Sequence, residues 1–214
     1  MKRLFIIPAF AATILFGLAA SALADPAEVT FTGVNGASQG GFYTSPYYGF
    51  VDEQNGHKIS VDLFCDDFLH EMYFGESWSA NLFTFEDLSQ VRFPGLTTGQ
   101  TLERYSEMAW LAEQISNDPA QAGDINFALW AIPDPAVTQQ AGFTSGSAHW
   151  LALAESQTYK PGEFWKFEIL TPVSSAASSA QEMFIERPTP EPTSLALFGT
   201  GLLGLGAIVR KWRK

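Results

Sequence analysis

The feature that most constrains this chain is where its charge lies. Basic and apolar residues gather at the two ends, and a strongly acidic body lies between them. Lys2, Arg3, Arg210, Lys211, Arg213 and Lys214 hold half of the 12 basic residues. Between Asp25 and Thr189, six basic residues face 22 acidic ones, a net charge of −16. Such a body lacks the cationic stripe that holds a phosphate backbone, so nucleic acid is excluded as a partner. Only the two ends have long uncharged apolar runs, which excludes a polytopic membrane protein. With 46% hydrophobic and 14% aromatic residues the body can build a core, so wholesale disorder is excluded too. Cys65 is the only cysteine, and one thiol cannot make a disulfide scaffold.

The ends read as addresses. Met1-Lys2-Arg3, an apolar stretch from Leu4 to about Leu18, and Ala22-Leu23-Ala24 form a secretory signal peptide over 1–24, cut between Ala24 and Asp25. Near the other end, Ser174 to Ala180 is a run of small residues, and Arg187-Pro188-Thr189-Pro190-Glu191-Pro192 is held extended by its prolines. Residues 193–209 carry no charge, and as a helix they span about 25 Å, enough for a thin bilayer. Arg210 and Lys211 then act as the membrane stop on the cytoplasmic side, so the body hangs outside. The expected organisation is a signal peptide over 1–24, a globular exported domain over 25–172, a linker over 173–189 and a sorting tail over 190–214. The transmembrane helix spans 193–209 of that tail.

The tail resembles the PEP-CTERM sorting signal of Gram-negative bacteria. Pro190-Glu191-Pro192, the Gly-studded run from Ser194 to Gly206 and the terminal basic cluster carry the resemblance. It implies an exosortase, a transpeptidase-like membrane protease, as processing partner, with cleavage near Pro190-Glu191-Pro192. The protein would be anchored in the inner membrane facing the periplasm, then move to the cell surface or extracellular matrix. Such proteins usually occur in bacteria that make extracellular polysaccharide.

Within the body, Val29 to Thr32 alternates as a strand, Phe42 to Val51 is aromatic and β-prone, and Asn55-Gly56 signals a hairpin turn. Ile59 to Leu63 alternates again and runs into Phe64-Cys65, and Trp78 to Leu82 is a further strand. Thr101 is placed to cap a helix running to about Ser116, and Asp118-Pro119 with Gln121 to start a second that stops near Pro133. Ser147 to Glu155 reads as a third helix, and Phe164 to Leu170 as a last strand ended by Pro172. The fold class is α+β: a β-rich, sandwich-like exported domain with a helical insertion, plus one C-terminal transmembrane helix.

Chemistry is sparse. Cys65-Asp66-Asp67-Phe68-Leu69-His70-Glu71 would put Asp66 and His70 on one face if helical, but no second ligand cluster and no HExxH signature accompany them, so no metal is assigned. His57, His70 and His149 make a Cys–His nucleophile formally possible, with no spacing that supports it. No G-x-S-x-G elbow is present. No catalytic residue and no cofactor are assigned.

Phe64-Cys65-Asp66-Asp67-Phe68, Gly75 to Ala80, Tyr105 to Leu111, Asn126-Phe127-Ala128-Leu129-Trp130 and, before the tail, Gln181 to Phe184 resemble a recurrent ectodomain of PEP-CTERM proteins, and the same order of blocks is similar to bacterial thioester domains. Those are surface adhesin modules with a β-rich body and a helical insertion. The resemblance implies a Cys–Gln thioester that acylates a host nucleophile. Cys65 stands at the cysteine position, but Asn126 stands where the family has Gln. Asn is one methylene shorter and would have to close a tighter ring, so the pair Cys65 and Asn126 is thioester-like only in position. The expected function is a non-enzymatic structural or interaction role at the surface, with extracellular polysaccharide or other surface proteins as partners. The alternatives are a covalent adhesin acting through Cys65, and a polysaccharide hydrolase using Asp66, Asp67 and Glu71.

Overall fold

The computed structural model describes residues 26–35, 37–52, 56, 58–173 and 180–187. The signal peptide with Ala24 and Asp25, the motif Pro190-Glu191-Pro192, the helix expected at 193–209, and Arg210 and Lys211 lie outside the described residues. Among the described residues no helix is long and apolar enough to cross a membrane.

In chain order the strands are β1 (Ala27–Val34), β2 (Ser38–Gln39), β3 (Phe42–Tyr43), β4 (Tyr47–Asp52), β5 (Lys58–Cys65), β6 (Ser77–Thr84), β7 (Phe167–Pro172) and β8 (Met183–Glu186). Six of them close a barrel in the order β1-β4-β5-β8-β7-β6, with β6 pairing back onto β1; β2 and β3 form a separate hairpin. All pairs are antiparallel. In β4 the side chains of Tyr47 and Val51 turn inward while Tyr48 and Asp52 face solvent, the period-two pattern of a half-buried strand. Gly49 lies between them on the inner face. A Cβ there would meet the Leu63 side chain and the Thr30 carbonyl, so the close approach of β5 and β1 requires a glycine.

Closure replaces the expected sandwich. Alternation along a strand is the same whether its sheet packs on another or curls on itself, because either way one face is buried. The β1–β6 pairing, Ala27 opposite Ala80 and Val29 opposite Trp78, decides between them, and that is a long-range event. The boundary at 172 also needs correcting. Met183–Glu186 is a barrel strand set between β5 and β7, so this part of the expected linker belongs to the domain.

The helical insertion joins β6 to β7. It comprises α1 (Thr98–Asn117), α2 (Ala122–Ala131) and α3 (Ser145–Ser156), with 3₁₀ turns at Pro119–Gln121 and Pro135–Gln139. Thr97, not Thr101, caps α1 by accepting from the Gln100 N–H; the Thr101 hydroxyl donates back to the Thr97 carbonyl. Pro119 opens a 3₁₀ turn rather than α2 itself. Thr144 and Ser147 make a capping box on α3. α2 is buried from Ile125 to Ala131, all round its circumference, because α1 and α3 enclose it. It is therefore the rigid element that presents polar side chains to the barrel.

Candidate functional site

The site lies where β5 ends. Asn126 and Trp130, four residues apart on α2, share the helix face turned toward Cys65. The Thr44-Ser45-Pro46 segment between β3 and β4 is the third wall, with a cis peptide before Pro46. Three hydrogen bonds close a ring. The Cys65 N–H donates to Ser45 Oγ (2.8 Å), the Ser45 N–H to Asn126 Oδ1 (2.6 Å), and Asn126 Nδ2 to the Cys65 carbonyl (3.1 Å). The thiol donates to the Asp67 carbonyl (3.3 Å) and accepts from the Trp130 indole (3.4 Å). Cys65, Ser45 and Asn126 are fully buried. Burial first, then the carboxyls of Asp67 and Asp66, push the Cys65 thiol well up. It stays a thiol, poorly suited to nucleophilic attack.

A second, acidic layer adjoins it. Asp67 is buried and accepts from Arg92 Nη1 and the Leu69 N–H (3.1 Å), with His70 Nδ1 2.8 Å from its carboxylate. Glu182, just before β8, accepts from the Tyr105 hydroxyl (2.5 Å), the Arg92 N–H (2.8 Å) and the Thr171 hydroxyl. Neither carboxyl oxygen of Asp66 has a hydrogen-bond partner of ordinary geometry, and the group is fully buried facing Glu182. Burial, then Glu182 and Asp67, raise Asp66 well above the ordinary carboxylate range. Burial raises Glu182 as well, against the pull of its donors. Asp66 therefore keeps the proton, and Glu182, with three donors aimed at it, is the carboxylate of the pair.

The structure thus brings Cys65 and Asn126 together, but through the cysteine's backbone: the carboxamide binds the Cys65 carbonyl rather than Sγ. Asp66 and His70 do not share a helix face, because 66–73 is an irregular loop; His70 bonds Asp67 instead. Among the described residues no group of three His, Cys, Asp or Glu side chains is arranged to hold a metal ion. Asp66 and Asp67 are sealed from solvent, while Glu71 is exposed with its carboxylate accepting from the Tyr73 hydroxyl (3.2 Å), so the three do not form an open acid–base pair. His57 lies outside the described residues, and His149 packs beside Trp150 on α3. Trp110, half-buried, also packs on Trp150. Sequence reasoning missed the roles of Ser45, Arg92, Tyr105 and Glu182. Arg92 had one usable signal, as one of six basic residues in an acidic body.

Residues 188–214 match the PEP-CTERM protein-sorting motif. The fold is similar to the N-terminal thioester domain of a surface protein from Clostridium perfringens, with 9% identity over 74% of this chain and 97% of that one and a TM-score of 0.46. No curated protein matches the chain.

Proposed function

We propose that this chain is a non-enzymatic surface or extracellular-matrix protein, delivered by its C-terminal sorting motif and acting through structure or interaction. The observation that carries the reading is the motif at 188–214, which implies processing by an exosortase-type membrane enzyme, export with membrane anchoring before cleavage, and then the surface. A passive role is supported by the state of Cys65. Its thiol is buried and held protonated, and both ends of the Asn126 amide are occupied by backbone partners. Extracellular polysaccharide or other surface proteins are the partners that such a location offers. The net charge of the body would repel anionic polymers unless divalent cations bridge them.

The second reading is a covalent adhesin. It is favoured only by the placement of the Asn126 carboxamide beside Cys65. One experiment separates the two: the intact mass of the protein from its producing cells, before and after alkylation under denaturing conditions. Cleavage after Ala24 and near Pro190-Glu191-Pro192, with Cys65 alkylated once, supports the passive matrix protein. A mass lower by one ammonia with Cys65 blocked would establish the thioester instead. Retention of the complete tail would overturn sorting and leave a membrane anchor.

A further inference from the structure

Two adjoining cavities open beside the Cys65 clamp. The first, about 270 Å³, is walled by the rings of Phe31, Tyr43, Tyr47, Tyr73 and Phe74, with Met72. The second, about 230 Å³, shares Tyr43, Tyr47, Met72 and Gln181 with it and adds Glu71. The lining rings pack on one another in a chain. Tyr47 meets Phe31 at 60° (centroids 5.6 Å apart), Phe31 stacks on Phe74 at 16° (5.2 Å), and Phe74 meets Tyr43 at 68° (6.1 Å). Tyr43, Tyr73 and Phe74 nevertheless remain 54%, 64% and 60% exposed.

This exposure is built in. The 73–76 turn is tied to β1 by the Gly75 N–H on the Phe31 carbonyl and the Phe31 N–H on the Glu76 carbonyl, each 2.9 Å. The Tyr73 N–H donates to the Glu76 carboxylate, also at 2.9 Å. Gly75, at φ 83°, supplies the left-handed residue the turn needs. The aromatic walls are therefore pre-formed, which lowers the ordering cost of binding. No lysine or arginine lines either cavity, and the Glu71 carboxylate stands at the tip of the Tyr73 ring. His70, which lines the second cavity, is paired with Asp67.

We propose that this recess is a binding site for a small free organic cation of the trimethylammonium type. Ring faces carry the negative part of the aromatic quadrupole, and a recess lined by five aromatic side chains offers a soft cation such faces together with apolar surface for its methyl groups. The charge of the site selects the guest further: Glu71 and the acidic body favour a cation over a neutral ring and repel an anion. An inorganic cation would keep its water and gain nothing from the rings. The binding is independent of the sorting route proposed above.

The test is titration calorimetry on the full-length protein in a nonionic detergent, at matched ionic strength. The probes are choline, tetramethylammonium, the neutral isostere 3,3-dimethylbutan-1-ol, a neutral glucan oligosaccharide and phosphatidylcholine vesicles. The expected result is saturable choline binding roughly tenfold tighter than the isostere, weakened severalfold by Phe74→Ala and by Glu71→Gln with the thermal midpoint held. Tyr73→Ala is the second ring variant, should Phe74→Ala fold poorly. Equal binding of choline and the isostere would overturn the proposal, leaving an apolar groove. So would binding of the oligosaccharide alone, of vesicles alone, of no probe, or choline affinity indifferent to these substitutions.

Discussion

Asn126 carries the site through two bonds that its carboxamide makes together, one accepted and one donated. Asn126→Ala leaves the buried Ser45 N–H and Cys65 carbonyl unpaired. An unsatisfied buried polar group costs about 1–3 kcal/mol, so a loss of roughly 3 kcal/mol is expected in urea unfolding. A loss within experimental error would mean that the ring is not a structural clamp. Cys65→Ser keeps a small group able to bond Asp67 and Trp130 and is expected to cost about 1 kcal/mol, with unchanged export and tail cleavage. If Cys65→Ser instead abolished a surface attachment while the fold held, the thiol would be chemical and the passive reading would fail. Cys65 and Asn126 were legible in the sequence because local blocks mark them. Ser45 lies outside those blocks, and Glu182, though inside one, gave no sign of its role, since they reach their partners Asn126 and Asp67 across 81 and 115 residues. Spacing along a chain says nothing about contacts at that range.

Among the elements, β8 shows how a short strand can decide a fold. It has four residues, yet it supplies Ile185, Phe184 and Met183 opposite Leu63, Phe64 and Cys65, and it pairs with β7 on its other edge. The longer strands were readable from alternation, as were the helices from apolar spacing. β8 was hidden because four residues hold too little periodicity, and the Ser/Ala run before it reads as a domain end. A chain ending at Pro172 would expose the edges of β5 and β7 and remove Glu182, so it is expected not to fold, giving no cooperative thermal transition. A cooperative transition would show that β8 is dispensable. Phe184→Ala is the milder version. Phe184 is fully buried against Phe167, Phe85 and Tyr105. Truncating a core aromatic costs about 3–5 kcal/mol, which lowers the thermal midpoint of a domain this size by roughly 10 °C.

For the whole molecule, the decisive quantity is how many protons folding takes up. The body is acidic, and several of its carboxyls are raised by folding rather than lowered. Asp66 lies well above its ordinary value and Glu182 is raised, burial being the main cause for both. Glu107, half-buried near Glu103 and Glu155, is raised to about 7, again chiefly by burial. A carboxyl whose folded value exceeds its unfolded one binds protons more tightly in the native state. Its stabilising contribution is complete below the unfolded value and is lost as pH rises through the folded value. The protein is therefore expected to lose stability as pH climbs from about 4 to about 8, read as a falling urea midpoint. Surface self-repulsion acts in the same direction, but salt screens it, whereas the buried pair is shielded from salt. In high salt the residual slope should flatten in Asp66→Asn, which keeps the shape and removes the proton, and should flatten near neutrality in Glu107→Gln. Cys65 and Tyr105 also face this cluster, and both are raised by burial and by its carboxyls. They stay protonated throughout that range, so the slope belongs to the carboxyls. A urea midpoint that rises with pH would mean that Asp66 is ionised in the native state. The Asp66 carboxylate, buried and facing Glu182, would then need a cation or water beside it.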